Sequence, residues 1–204
     1  EERLRILFEY APDGYYLSDL KGCFVDGNRA AEELVSYEKD ELIGKSFLGV
    51  AGLLSPDQIP KAAALLAKSV LRQPTGPDEF ILNRKDGTRI PVEISTYPVE
   101  IEGRTLVLGI ARDITDRKRA EEELRHSKER LRILFDYAPD GYYLSDSKGV
   151  FVDGNRAAEG LVGYEKDELI GKSFLGAAGL LSPGQLPKAA TLLAKSVLRQ
   201  PTGP

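Results

Sequence analysis

The chain has 204 residues, 42% hydrophobic and 29% charged, with a net charge of -4. That is the composition of an ordinary globular protein with material for a core, and it argues against a disordered chain. Acidic and basic residues are interspersed, so no basic face is available for nucleic acid. The longest apolar runs fall well short of the roughly 20 residues needed to cross a bilayer. One cysteine, Cys23, excludes an internal disulfide and a cysteine-based metal site and fits a reducing, cytoplasmic compartment.

Taken in chain order, Leu4, Leu7 and Phe8 lie at helical spacing until Ala11-Pro12-Asp13-Gly14 stops the helix. Tyr15 to Ser18 and Cys23 to Asp26 read as the arms of a hairpin. Asn28 is placed to cap a helix over Arg29 to Ser36, whose Ala30, Ala31, Leu34 and Val35 make one apolar stripe. Short glycine-punctuated helical turns follow from Lys39 to Leu54. A longer helix opens near Ser55-Pro56-Asp57, carries Ile59, Ala62, Ala63, Leu66 and Val70 on one face, and is expected to break at Pro74 to Pro77. The period then switches to two, predicting strands at Phe80 to Leu82, Arg89 to Val99 and Thr105 to Arg112 in an antiparallel meander.

From Asp113 the chain reads as a charged helix running to about Phe135. Ala120, Leu124, Ser127, Leu131 and Leu134 are spaced 4, 3, 4 and 3, the a and d seam of a heptad repeat. This seam predicts a parallel homodimer, and the competing reading is a solvated linker helix. His126, the single histidine, reads as an outward-facing residue of the same helix.

The chain also repeats itself. Glu2 to Pro77 recur as Glu129 to Pro204 at an offset of 127 with nine substitutions, a period that indicates tandem copies of one small domain. Cys23 is replaced by Val150 in the second copy, so it reads as a small packing residue. The chain begins without methionine and stops partway through the second copy, so it is expected to be a piece of something longer. That second copy is expected either to stay loosely ordered or to complete itself by exchange with residues 78 to 113 of another chain.

In this order and spacing, several short stretches make the sequence resemble a PAS domain over residues 3 to 116. They are Ala11-Pro12-Asp13-Gly14, Asn28-Arg29-Ala30-Ala31, Tyr37 to Lys45, Arg84-Lys85-Asp86-Gly87 and Asp113-Ile114-Thr115-Asp116-Arg117-Lys118. The resemblance implies an α+β fold: a five-stranded antiparallel sheet in the order 2-1-5-4-3 with helices on one face. It divides the chain into a PAS domain at 1–115, a signalling helix at 116–135 and the N-terminal half of a second PAS domain at 136–204.

The family also implies a pocket. Its expected lining is Tyr15, Leu17, Phe47, Leu66, Val70, Val92, Ile94, Val107, Gly109 and Ala111, with the small Gly109 and Ala111 marking free space on a central strand. Residues Asp113, Ile114, Thr115 and Asp116 are the expected corner through which the sheet moves the helix. The family's flavin sensors carry a cysteine where Gly44-Lys45-Ser46-Phe47 stands here and a glutamine at the place of Ala111, and its haem sensors carry a histidine that residues 57–72 lack. Flavin and haem are therefore not expected, and the cofactor stays unidentified. No metal site or catalytic cluster is legible; a second copy of the chain, meeting through the linker helix and the PAS faces, is the expected partner and a small apolar ligand a further candidate, with neither nucleic acid nor membrane contact.

Three functions stay open at this stage. The first is a sensory and dimerisation module of a signalling protein, most often a sensor histidine kinase. The second is a ligand-free coupling or protein-interaction module, as in a diguanylate cyclase or transcription regulator. The third, an enzyme built on the same scaffold, needs a titratable cluster the sequence does not offer.

Overall fold

The computed structural model of the chain describes residues 2–50, 52–173, 175, 184, 185, 187, 188, 190 and 191. The chain divides into two compact units, Glu1–Glu122 and Glu123–Pro204. In the first unit, α1 (Glu2–Glu9) leads into the hairpin β1 (Gly14–Ser18) and β2 (Phe24–Gly27). Helices α2 (Arg29–Val35), α3 (Lys39–Leu42) and α4 (Ile59–Val70) follow, and then the meander β3 (Thr75–Asn83), β4 (Arg89–Ile101) and β5 (Arg104–Asp113). Helix α5 (Thr115–Asp136) runs from the first unit into the second, which carries β6 (Tyr143–Ser145), β7 (Phe151–Gly154), α6 (Arg156–Val162) and α7 (Lys166–Leu169). The long helix expected in the second copy lies outside the described residues.

The first unit is a five-stranded antiparallel sheet in the order β2-β1-β5-β4-β3, the expected α+β topology. Its core joins Leu34 and Val35 of α2 and Ala62 of α4 to Phe80, Leu82, Ile90, Val92 and Ala111 of the sheet. The pairings place Gly27, Tyr16, Gly109, Thr96 and Thr75 in one row across all five strands. Side chains alternate across a strand, so this row and the residues two positions on either side face the helices. On the other face Tyr15 meets Phe8 of α1, with ring centroids 6.2 Å apart.

Two local expectations change. Strand β3 begins at Thr75, inside the stretch read as a break, because Thr75 pairs with Thr96 backbone to backbone and its hydroxyl lies 2.7 Å from that of Thr96. A bulge between Thr75 and Asp78 accommodates Gly76 and Pro77. Gly76 sits at φ +91°, and a Cβ there would stand 2.4 Å from the Ile94 carbonyl oxygen, so only glycine fits. The second change is the buried face of α4, which runs through Ala62, Leu65, Leu66 and Ser69, while Val70 is 47% exposed. A serine takes the inner position because its hydroxyl donates to Leu65 O at 3.2 Å and meets Thr96 Oγ1 at 3.1 Å.

The hairpin, α1 and α2 are joined at Asn28, which is fully buried. Its Oδ1 accepts from Tyr15 N at 2.8 Å and from Ala31 N at 3.0 Å, the second bond being the N-cap of α2. Its Nδ2 donates to Phe8 O at 2.9 Å and to Asp13 O at 3.0 Å. Three of these four bonds recur in the second unit, where Asn155 accepts from Tyr142 N and Ala158 N and donates to Asp140 O. Nearby, Arg112 at the end of β5 forms a two-bond ion pair with Asp13, at 2.8 and 3.0 Å, fastening the start of β1 to the strand beside it.

Replacing Asn28 by alanine removes four hydrogen bonds and takes the side-chain partner from Tyr15 N–H and Asp13 O, while Ala31 N–H keeps Asn28 O at 3.1 Å and Phe8 O keeps Ala11 N at 3.4 Å. An Asn28→Ala chain is expected to lose about 3 kcal/mol of first-unit stability. Native-state hydrogen exchange at the β1 and β5 amides reads this loss directly, and unchanged protection would show that Asn28 does not hold the hairpin.

Candidate functional site: a cavity between sheet and helices

Between the sheet and α2 to α4 lies a cavity of about 110 Å³. Its wall is mostly apolar: Phe24, Leu34, Leu42, Phe47, Leu53, Leu65, Leu66, Phe80, Leu82, Ile94, Val107 and Ala111. Polar groups enter at a few places, namely Tyr16 and Ser18 from β1, Ser69 from α4 and Thr96 from β4. Asp26, Glu32 and Lys39 line it as well, with Lys39 ion-paired to Asp26 and Glu32 Oε1 accepting from Lys39 N at 2.6 Å.

The structure brings together five of the ten residues expected to line a pocket: Phe47, Leu66, Ile94, Val107 and Ala111. The other five lie elsewhere. Tyr15 and Leu17 fall on the opposite face of β1 from Tyr16 and Ser18, and Tyr15 packs on α1. Val70 points away from the sheet, and Val92, 0% exposed, packs within the core instead of on the cavity wall.

Gly109 faces the helices, yet it leaves no free space. A Cβ built there would lie 2.1 Å from Tyr16 Cζ, because the Tyr16 ring rests flat on the glycine. The same ring packs edge-on against Phe24, with centroids 5.6 Å apart. Burial pushes the Tyr16 phenol up to about 12, so the hydroxyl keeps its proton at every pH a cell experiences.

Tyr16, Ser18, Ser69 and Thr96 were not singled out from sequence. The signal that finds them is register: Gly109 of β5 lies opposite Tyr16, and a glycine on a central strand commonly marks a close approach by a bulky neighbour.

The corner after β5 is closely tied. Ile114 is buried at 3% exposure and its N–H donates to Pro91 O at 3.1 Å, while Asp113 Oδ1 accepts from Thr115 N at 2.7 Å. Asp116 is exposed. Beyond the corner, Glu79 of β3 and Glu93 of β4 lie directly opposite each other, a like-charge pairing that disfavours the sheet unless a cation bridges it. Arg117 supplies that bridge, 2.9 Å from Glu79 and 3.0 Å from Glu93, and Lys118 reaches Glu79 at 2.6 Å. Hydrogen bonding from Lys118, with the charges of Lys118 and Arg117, holds the Glu79 carboxyl below its usual range. The first turn of α5 is therefore fixed to the outer side of β3 and β4.

Further along α5, Leu124, Leu131 and Leu134 are 56%, 63% and 61% exposed, and Ala120 is also exposed. Among the described residues no group of three or more histidine, cysteine, aspartate or glutamate side chains could hold a metal ion, and no helix is long and apolar enough to cross a membrane.

Comparison with known proteins agrees with this architecture. The family model described as PAS domain matches residues 12–116, just over half of the chain, and a second, described as PAS fold, matches residues 129–178. Sporulation kinase E of Bacillus subtilis is 25% identical over 175 residues, covering 86% of this chain and 23% of that protein. Diguanylate cyclase DgcM of Escherichia coli O157:H7 is 30% identical over 108 residues, covering 52% of this chain and 25% of that one. The chain thus spans about a quarter of the length of these relatives. Among solved structures, a domain of a sensory box sensor histidine kinase/response regulator from Geobacter sulfurreducens is 32% identical with a TM-score of 0.46, covering 55% of this chain and 92% of that one. A PAS domain from Colwellia psychrerythraea is 26% identical with a TM-score of 0.49, covering 56% and 97%. The chain belongs to the PAS domain family and forms a tandem PAS sensory region.

Proposed function

We propose that residues 1–204 are the sensory and dimerisation segment of a cytoplasmic signalling protein, with a sensor histidine kinase as the output and no catalysis in the segment itself. The observation that carries this reading is the position of β5. Its residues Val107 and Ala111 form part of the cavity wall, and the same strand runs into α5 through the tied corner at Asp113, Ile114 and Thr115. A molecule entering the cavity changes the packing on β5, and a corner this short and well bonded passes displacement to α5 in place of absorbing it. Sporulation kinase E supports a kinase output, since its similarity extends over most of the chain.

Tandem copies joined by a helix require that helix to carry the signal, and its heptad seam at Ala120, Leu124, Leu131 and Leu134 is the surface for a second copy of the chain. A ligand-free coupling module is the second reading. It is favoured by the Tyr16 ring, which occupies the space that Gly109 would otherwise leave open.

Native mass spectrometry of the whole chain purified from cells, with a denatured control, separates the two. A reproducible extra mass lost on denaturation is expected for the sensor; a clean protein mass from several preparations, with no added compound retained, would leave the coupling module. For the seam, a Leu124→Glu, Leu131→Glu double variant places like charges across two successive a layers of a parallel pair. Sedimentation at micromolar concentration is expected to show a dimer for the parent chain and a monomer for this variant; a parent chain that sediments as a monomer rules the seam out.

A further inference from the structure

Three hydroxyls around the cavity, those of Ser69, Thr75 and Thr96, have a definite proton order. Ser69 donates its single proton to Leu65 O, so the 3.1 Å contact with Thr96 must be donated by Thr96, and the 2.7 Å contact between Thr75 and Thr96 must be donated by Thr75. The chain Thr75 to Thr96 to Ser69 to Leu65 O is complete and leaves no proton to offer. Tyr16 stands outside it. Its ring covers Gly109, which pairs with Thr96, so the phenol extends across β5 toward β4 along the cavity, and its hydroxyl has no partner among the described residues.

The second unit shows that this tyrosine can be satisfied internally. Tyr143, at the equivalent position, donates its hydroxyl to Ala158 O at 2.7 Å. In the first unit the ring is drawn over Gly109 instead, and its O–H donor opens on the cavity, where a bound molecule can accept from it.

The charge of the occupant follows from the same wall. Its one cation, Lys39, is already paired with Asp26, so an anionic head would enter without neutralisation. Size follows from the volume: a cavity of about 150 Å³ is known to admit benzene, so 110 Å³ suits one small ring or a short branched chain.

Resting on the ligand-sensor reading above, we propose that the cavity takes a small, neutral, mostly apolar molecule with one acceptor oxygen, of the ketone, amide or quinone type, held by the Tyr16 O–H. The probe is cyclohexanone, with methylcyclohexane as the matching hydrocarbon. Both are titrated by ligand-observed NMR into the whole chain and into the Tyr16→Phe variant. Cyclohexanone is expected to bind the parent chain and to bind the variant roughly five- to tenfold more weakly, the loss of one neutral hydrogen bond. Methylcyclohexane is expected to bind both alike.

The carbonyl carbon resonance of bound cyclohexanone is expected to move downfield on the parent chain, a readout that does not depend on the variant folding. Equal cyclohexanone binding by the two chains, or an unshifted carbonyl, would overturn the acceptor preference and leave the ligand-sensor reading standing. Failure of both probes to bind the parent chain would overturn the ligand cavity itself and this inference with it.

Discussion

The first unit depends on one buried amide. Asn28 meets α1, β1 and α2 at a single point, and its side chain makes four hydrogen bonds, all of them to main-chain groups. A side-chain amide has two donor hydrogens and one acceptor oxygen with two lone pairs, so the residue is saturated and no other geometry satisfies it as well. Saturation makes the junction specific: if α2 rotates, or the hairpin slips by one residue, at least one of these groups is left buried and unpaired. The cavity inherits that rigidity. Tyr16 lies one residue from the Tyr15 N–H that Asn28 holds, and Ala31, whose N–H is capped, lines the cavity.

The order of elements was readable because each has a local signature: the Asn28 cap, the Lys85-Asp86-Gly87 turn, the twofold period of the meander. The sheet order came from the family resemblance. What local pattern could not supply was the phase of β1. In Tyr15-Tyr16-Leu17-Ser18 the more apolar alternate pair is Tyr15 and Leu17, and a strand with one solvated face would turn that pair inward. Here α1 covers the outer face at Phe8, Tyr15, Tyr16 and Leu17 are all half-buried, and polarity no longer distinguishes the faces. Register does. Val107, Gly109 and Ala111 lie opposite Ser18, Tyr16 and Gly14, so reading the β5 residues as inward commits β1 to the other pair. The expected lining mixed the two phases, and for that reason Tyr15 and Leu17 fell outside the cavity. Ser69 was hidden for a different cause: a serine is counted as an outer residue unless its partners, here Leu65 O and Thr96, are known in advance.

The proposed coupling between cavity and helix rests on how little chain separates them. Ala111 is on the cavity wall and Ile114, three residues later, is buried at the corner with its N–H bonded to Pro91 of β4. Arg117, three residues further on, grips Glu79 and Glu93 on β3 and β4. The first turn of α5 is thus referenced to β4 and β3 beside the strand it continues, and a shift of β5 relative to β4 must either strain the corner or turn the helix. These ion pairs are exposed and individually weak. Their use is positional: they give the helix one preferred seat at small energetic cost, the condition under which a modest ligand can select another.

The duplicated tyrosine shows how far a site can depart from its own sequence. The residues around Tyr16 and Tyr143 are identical from Gly14 to Asp19 and from Gly141 to Asp146. Their hydroxyls nonetheless have different fates, one bonded to the Ala158 carbonyl and one directed along the cavity. What differs is the neighbour: β1 pairs with β5, whose Gly109 accepts the ring, whereas β6 pairs only with β7 among the described residues. The chemical character of the cavity is therefore set by the strand that leads to α5. A shift of β5 alters the seat of the tyrosine ring, and a molecule that engages the tyrosine acts on β5, so in the proposed sensor recognition and transmission are two aspects of one contact.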